Sequence, residues 1–167
     1  MVADGMLTRK RYREVPPRVD YELTERASEL MPILGELARW GYDWAWSAPR
    51  SSEAIDIGAI FRLAPGLLQA ARDLKGSIEL NVSDGKGGGE PASYSLTRAG
   101  DAVGIEERPA ERPDARVTGN AAAWVAALSP EHDRSGLSVT GDRAFAERLL
   151  EGLTAGSGRA AASTVAA

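Results

Sequence analysis

The sequence predicts an α+β chain in two parts: a β-hairpin that runs into a long helix, then an antiparallel sheet covered by helices. Three observations carry this expectation. Val19, Tyr21 and Leu23 alternate with Asp20 and Glu22, the period of a half-buried strand, and Pro16-Pro17 separates them from a looser alternation over Met6–Arg13. Apolar residues then recur at helical spacing from Ala27 onward. Beyond residue 53, short strand-like runs alternate with helical stretches that open on cap residues.

Each element follows from local chemistry. The prolines sit in the turn, where no ladder N–H is needed. Thr24 is an expected N-cap, with Glu25 in the first helical turn, where the free N–H groups favour an acid. Ala27, Leu30, Met31, Leu34, Leu37 and Ala38 form one apolar face of the helix; Ile33, Trp40 and Trp44 mark a second stripe beside it. Pro32 predicts a kink or bend. A helix with two apolar stripes takes two partners, its own domain and a second subunit. Ile33, Leu37, Trp40 and Trp44 are therefore candidates for a homodimer interface.

Residues 47–52, small and polar around Pro49, read as a linker between a part over 1–46 and a part over 53–153. A helix is expected over Glu53–Leu63, broken at Pro65-Gly66 and resumed over Leu67–Leu74, with Gly76 as its C-terminal cap. Ser77–Val82 is a strand with Ile78, Leu80 and Val82 on one face. The glycine-rich tip after it leads to strands Ala92–Arg98 and Ala102–Glu107, joined by a tight turn. Ala115–Thr118 and Leu137–Thr140 are short strands; Asn120 and Asp142 cap the helices that follow. Residues 154–167 are small and low in complexity and read as a flexible tail.

Composition narrows the function classes. The 167 residues carry a formal net charge of −4, so any contact with nucleic acid comes from a local patch. That patch is the hairpin, where Arg9, Lys10, Arg11, Arg13 and Arg18 face only Glu14 among acids of the turn region. Such a hairpin can lie along a phosphate backbone or serve as a charged edge against aggregation. There is no cysteine, hence no disulfide and no thiolate metal site. No apolar stretch is long enough for a membrane helix, and the first residues lack the apolar core of a signal peptide, so a cytoplasmic protein without membrane contact is expected. No cofactor is expected, nor an enzyme. His132, the single histidine, sits in a polar loop, Gly85–Gly89 lacks phosphate-loop spacing, and no serine elbow exists.

The stretch "DGMLTRKRYREVPPRVDYELTERASELMPILGELARWG" resembles the C-terminal part of the winged-helix domain of HxlR-type transcriptional regulators. The resemblance implies a partial winged helix: the hairpin as a wing facing DNA, with Arg9, Lys10, Arg11, Arg13 and Arg18 at phosphates, and the helix behind it as the dimerisation helix. In that family a recognition helix precedes the wing. Few residues stand before Met6, so the base-reading element is expected to be missing here and DNA binding to be weak and without sequence choice. Downstream, "DLKGSIELNVSDGKGGGEPASYSLTRAG", "ARVTGNAAAWVAAL" and "GLSVTGDRAFAERLLEGL" resemble the sterol carrier protein domain. This implies an antiparallel sheet under helices with an apolar tunnel between the layers, which Phe61, Leu68, Trp124, Leu128, Phe145 and Leu149 would line around a small apolar ligand. The same residues would serve equally as ordinary core. Two functions stay open: an HxlR-type regulator whose second domain senses an apolar molecule, or a lipid or hydrophobic small-molecule binding protein that no longer binds DNA.

Overall fold

A computed structural model describes residues 1–12, 18–50, 53–68, 74–84, 91–100 and 102–154. Strands β1 (Leu7–Tyr12) and β2 (Arg18–Leu23) pair antiparallel from Leu7↔Leu23 to Tyr12↔Arg18. Thr24 closes the hairpin and opens the helix at once. Its hydroxyl donates to the Gly5 carbonyl at 2.7 Å and accepts from the Ala27 N–H at 3.2 Å, while its own N–H donates to the Met6 carbonyl.

The helix behind the hairpin is not continuous. A single turn, α1 (Glu25–Ser28), is closed by Glu29, and α2 (Met31–Trp44) starts afresh after Leu30 with Pro32 in its first turn. Proline has no N–H to donate, and the first turn of a helix is where that loss is harmless, so Pro32 starts a helix here rather than bending one.

The inward face of α2 also differs from the expectation. Gly35 is buried, with Met31, Ala38 and Tyr42 partly buried beside it. Leu30, Leu34 and Leu37 are exposed along with Ile33, Trp40 and Trp44. The reason is a backbone contact. A Cβ on Gly35 would stand 2.5 Å from the carbonyl carbon and oxygen of Gly66, and one on Gly66 would stand 2.2 Å from the Met31 carbonyl oxygen. The two backbone segments touch where neither carries a side chain, and that contact sets how α2 is rotated.

Gly66 lies in α4 (Ala64–Leu67), which follows α3 (Ile57–Arg62) after one residue. Asp56, not Glu53, begins α3; its carboxylate accepts from the Ala59 N–H at 3.3 Å. The expected continuation over Leu67–Leu74 lies largely outside the described residues. Gly76 does not end a helix but opens a strand at φ +139°, where a side chain would meet the Asp114 carboxylate at 2.8 Å and the Phe145 ring at 3.1 Å.

Strands β3 (Gly76–Val82), β4 (Ala92–Ala99), β5 (Ala102–Glu106), β6 (Ala115–Gly119) and β7 (Ser138–Gly141) form one sheet in the order β5-β4-β3-β6-β7. Three of the pairings are antiparallel, as expected; β3 and β6 run parallel, which makes the sheet mixed. Helices α5 (Ala121–Leu128) and α6 (Arg143–Thr154) are capped by the Asn120 and Asp142 carbonyl and carboxylate oxygens at 2.8 and 3.0 Å. With α3 and α4 they cover the sheet face that carries Ile78, Leu80, Val82, Leu96 and Val117.

The opposite sheet face is polar. Its centre is Glu79, 5% exposed, held by Arg116 Nε at 2.7 Å, Asn81 Nδ2 at 2.9 Å and the Ala110 N–H at 2.9 Å. The Arg116 hydrogen bond, outweighing burial, keeps the Glu79 carboxyl below its ordinary range.

Candidate functional site

The basic hairpin divides into two kinds of position. Lys10 is ion-paired with Glu22 at 2.7 Å, both about half exposed, and lies opposite Asp20 in the ladder. Arg9 is exposed and pairs across the ladder with Tyr21, itself exposed. Arg11 pairs with Val19 and Arg18 with Tyr12, both as strand residues; their side chains, and Arg13 as a whole, lie outside the described residues. Of the cations expected at phosphate, Arg9 is thus the one the structure places at the surface beside an aromatic ring, whereas Lys10 already has a carboxylate.

Behind the hairpin, Ile33, Leu37, Trp40 and Trp44 stand 59–66% exposed along α2. Their spacing of four, three and four residues is the stripe of a helix that packs lengthwise on another helix. Leu30 and Leu34 widen it. All four residues expected at a dimer interface therefore lie on one uncovered helix face.

The opposite face of α2 is held to the sheet part by more than the glycine contact. Arg39, on the same helix, is ion-paired with Glu36 and also donates from Nη2 to the Leu67 carbonyl at the end of α4. From the sheet side, Arg98 donates from Nη1 to the next carbonyl, that of Leu68. Arg98 is 3% exposed, and among the described residues its Nε and Nη2 have no hydrogen-bond partner. Its position in β4 follows from alternation: Tyr94, Leu96 and Arg98 share the face that meets the helices.

The six residues expected to line a tunnel are all buried. Phe61 stands edge-on to Trp124, with centroids 4.8 Å apart, and to Tyr94 at 5.3 Å, and Trp124 Nε1 donates to the Asn81 carbonyl at 2.9 Å. Phe61, Leu68, Trp124, Phe145 and Leu149 pack together in the core between sheet and helices. Leu128 alone of the six borders a cavity of about 310 Å³ beside α2. On one side that cavity is walled by Ala38, Gly41, Tyr42, Ala45 and Trp46, and on the other by Ile60, Leu63, Leu67, Leu128 and Leu153. A second, wider depression lies between α5 and the residues Trp46, Pro49, Ala54 and Ile55.

Tyr42 has distinctive surroundings. Its ring lies 5.6 Å from that of Trp46 and 6.4 Å from that of His132. Among the described residues its buried hydroxyl has no hydrogen-bond partner. Burial, with added repulsion from Glu131 and Asp43, pushes its pKa up to about 12, so the group is a protonated donor throughout the neutral range. The sequence signal that could have found this site is the aromatic pair Tyr42 and Trp46, four residues apart at the end of α2. Among the described residues, no group of three or more histidine, aspartate or glutamate side chains is placed to hold a metal ion, and no helix is long and apolar enough to cross a membrane.

Comparison with known proteins bears on the hairpin first. Residues 1–48 match the family described as HxlR-like helix-turn-helix. Similar curated relatives include an uncharacterized HTH-type transcriptional regulator of Halalkalibacterium halodurans, 56% identical over 39 residues, which are 23% of this chain and 34% of that one. The uncharacterized HTH-type transcriptional regulator YkvN of Bacillus subtilis is 51% identical over 39 residues, 23% of this chain and 33% of the relative. The chain thus spans about a third of the length of these relatives. Among solved structures, the chain is similar to palmitated SCP2L2 from Aedes aegypti, with TM-score 0.45 and 15% identity over 62% of this chain and 96% of that one. It is also similar to the UbiJ-SCP2 ubiquinone synthesis protein, with TM-score 0.39 and 14% identity over 75% of this chain and 94% of that one. The similarity to HxlR-like helix-turn-helix proteins thus falls on residues 1–48, the stretch that holds the hairpin and the helix that leaves it.

Proposed function

We propose that the chain works as part of an HxlR-type transcriptional regulator. Its hairpin meets DNA phosphates, α2 pairs two protomers, and the sheet part answers to a small apolar molecule. The observation that carries the reading is the continuity of the parts. An arginine-bearing hairpin is tied through Thr24 to the helical segment, and α2 has one face clamped to α4 while the other, with Trp40 and Trp44, is left open. Relatives named as HTH-type transcriptional regulators support the DNA role. The role is a binding one, without catalysis or cofactor, and it belongs with the DNA in the cytoplasm.

A wing positions a protein on the backbone and carries little sequence information. The chain on its own is therefore expected to bind DNA weakly and without sequence choice. Fluorescence anisotropy with unrelated duplexes of equal length tests this. The five cations Arg9, Lys10, Arg11, Arg13 and Arg18 bound the salt dependence: the slope of log K against log salt is no steeper than about −4.5 per protomer. Tight binding to one duplex alone would overturn this expectation, and binding insensitive to salt would remove the wing from the account.

One observation favours the second reading, a protein that binds a lipid or other hydrophobic small molecule and not DNA. Arg98 is a buried cation with two donors unmatched among the described residues, a natural counterpart for the acidic head of an amphiphile. Titration with the fluorescent fatty acid cis-parinaric acid, in the intact chain and in Arg98→Leu, tests it. Saturable binding lost in the variant supports this reading; no binding by the intact chain ends it.

A further inference from the structure

The cavity between α2 and the sheet part borders the core that holds Phe61 and Trp124, sharing Leu67, Leu128 and Leu153 with it, but neither of those two rings lines it. At about 310 Å³ it is at the small end of the range ligand sites occupy, roughly 300–1,000 Å³. We propose that it binds a small, uncharged, apolar molecule bearing one hydrogen-bond acceptor, which Tyr42 engages through its hydroxyl. This deepens the sensing part of the regulator reading and rests on it only for any effect on DNA; the binding stands by itself.

Three features fix the chemistry. The walls are aliphatic and aromatic: Ile60, Leu63, Leu67 and Leu153 face Tyr42 and Trp46. Polar capacity at the rim is mostly taken, because Arg39 holds Glu36 and the Leu67 carbonyl. Among the described residues that line it, the one cation, Arg39, already has a carboxylate, and an anionic ligand would face Glu131 and Asp43, whose charges act on Tyr42. Tyr42 Oη remains: a buried donor with no acceptor among the described residues, which a native structure leaves open at a cost unless something fills the place. An acceptor on an otherwise apolar ligand supplies what is missing.

Position also matters. The same cavity takes one wall from α2, the helix with the open stripe, and the other from α3, α4, α5 and α6 and the turn between α3 and α4. A molecule seated there touches both parts of the chain at once.

The test uses the neutral, fluorescent naphthyl ketone prodan, with the same dye lacking its ketone as control, on the full chain without DNA. Gly41→Leu is the blocking variant. Gly41 borders the cavity, and a Cβ there meets nothing within 4 Å, so the root of the added side chain stands in open space at the cavity wall. Ala45→Leu, from the same wall, is the second blocking variant. The expected result is saturable, blue-shifted prodan binding to the intact chain and loss of binding in both leucine variants, each with unchanged circular dichroism. Tyr42→Phe should weaken prodan about five- to tenfold, the worth of one neutral hydrogen bond, while leaving the ketone-free dye unaffected. Undiminished binding in folded Gly41→Leu and Ala45→Leu would overturn the site. Equal loss for both dyes, or none for either, in Tyr42→Phe would overturn the hydrogen bond. A separate anisotropy titration with and without prodan then reports on DNA alone: no change there removes the coupling to DNA and leaves the site in place.

Discussion

Two glycines on the same helix make a matched experiment. Gly35→Ala and Gly41→Ala each replace a glycine inside α2, and each gains the same helix propensity, about 0.5–1 kcal/mol. They differ in what the new methyl group meets. At Gly35 it would lie 2.5 Å from the Gly66 carbonyl, roughly 0.9 Å inside ordinary contact, and both obstructing atoms are backbone. At Gly41 nothing stands within 4 Å. Because the propensity gain is common to both, it cancels in the difference, which leaves the overpacking cost of about 1–3 kcal/mol. Gly35→Ala should therefore be less stable than Gly41→Ala by that amount, and Gly41→Ala slightly more stable than the parent chain. Urea unfolding followed by circular dichroism reads both midpoints. For a chain of this size each kcal/mol moves Tm by about 2–4 °C, so thermal melts give a second reading. Equal stability of the two variants would mean that α2 and α4 do not meet backbone to backbone, and the clamp between the hairpin helix and the sheet part would have to be abandoned.

Other consequences are as direct. Trp40→Glu with Trp44→Glu puts charge into the uncovered stripe of α2; sedimentation should show a dimer for the parent chain and a monomer for the variant, and a monomeric parent at micromolar concentration would dismiss the interface. Arg116→Met removes the main partner of the buried Glu79 carboxylate and should cost about 1–2 kcal/mol, reduced from the value for a fully buried pair because Arg116 is itself 45% exposed. Glu79 has a folded pKa below its unfolded value, so its contribution is present above the unfolded carboxylate range and disappears as pH falls through the folded one; Glu79→Gln should flatten that part of an acid unfolding curve. Tyr42 runs the other way: its pKa is raised to about 12, so its contribution is complete below the ordinary tyrosine value and fades as pH climbs toward 12. Ultraviolet titration should show a late phenolate step that Tyr42→Phe abolishes.

The elements that could be read from the sequence are those whose cause is local. Thr24, Asn120 and Asp142 act as the caps their positions imply, because capping is a contact across three residues. The hairpin is legible for the same reason: alternation on either side of Pro16-Pro17 leaves little choice of register. The inward face of α2 was not, since counting leucines points to Leu30, Leu34 and Leu37, whereas a glycine with no hydrophobicity to count decides the packing. The parallel pairing of β3 with β6 joins residues 37 apart in sequence, such as Ile78 and Ala115, and no local pattern encodes it. The cavity beside Tyr42 escaped for a related reason. Its two walls come from stretches that composition separates, and the apolar residues that drew notice, Phe61 and Trp124 among them, are attractive as ligand contacts for the same quality that makes them core.

Helix α4 is only four residues long, yet guanidinium groups from opposite directions grip its end, Arg39 on the Leu67 carbonyl and Arg98 on that of Leu68. Such a joint makes the seam suggested by composition a poor place to divide the polypeptide. Scission near Pro49 would leave the halves adhering like a nicked protein, and fragments prepared separately should reassemble when mixed. The first fragment alone would bare Gly35 and leave Arg39 without its carbonyl, and the second would bare Gly66 and the Leu67 carbonyl, so what reads as two modules along the chain would behave as one cooperative body on heating.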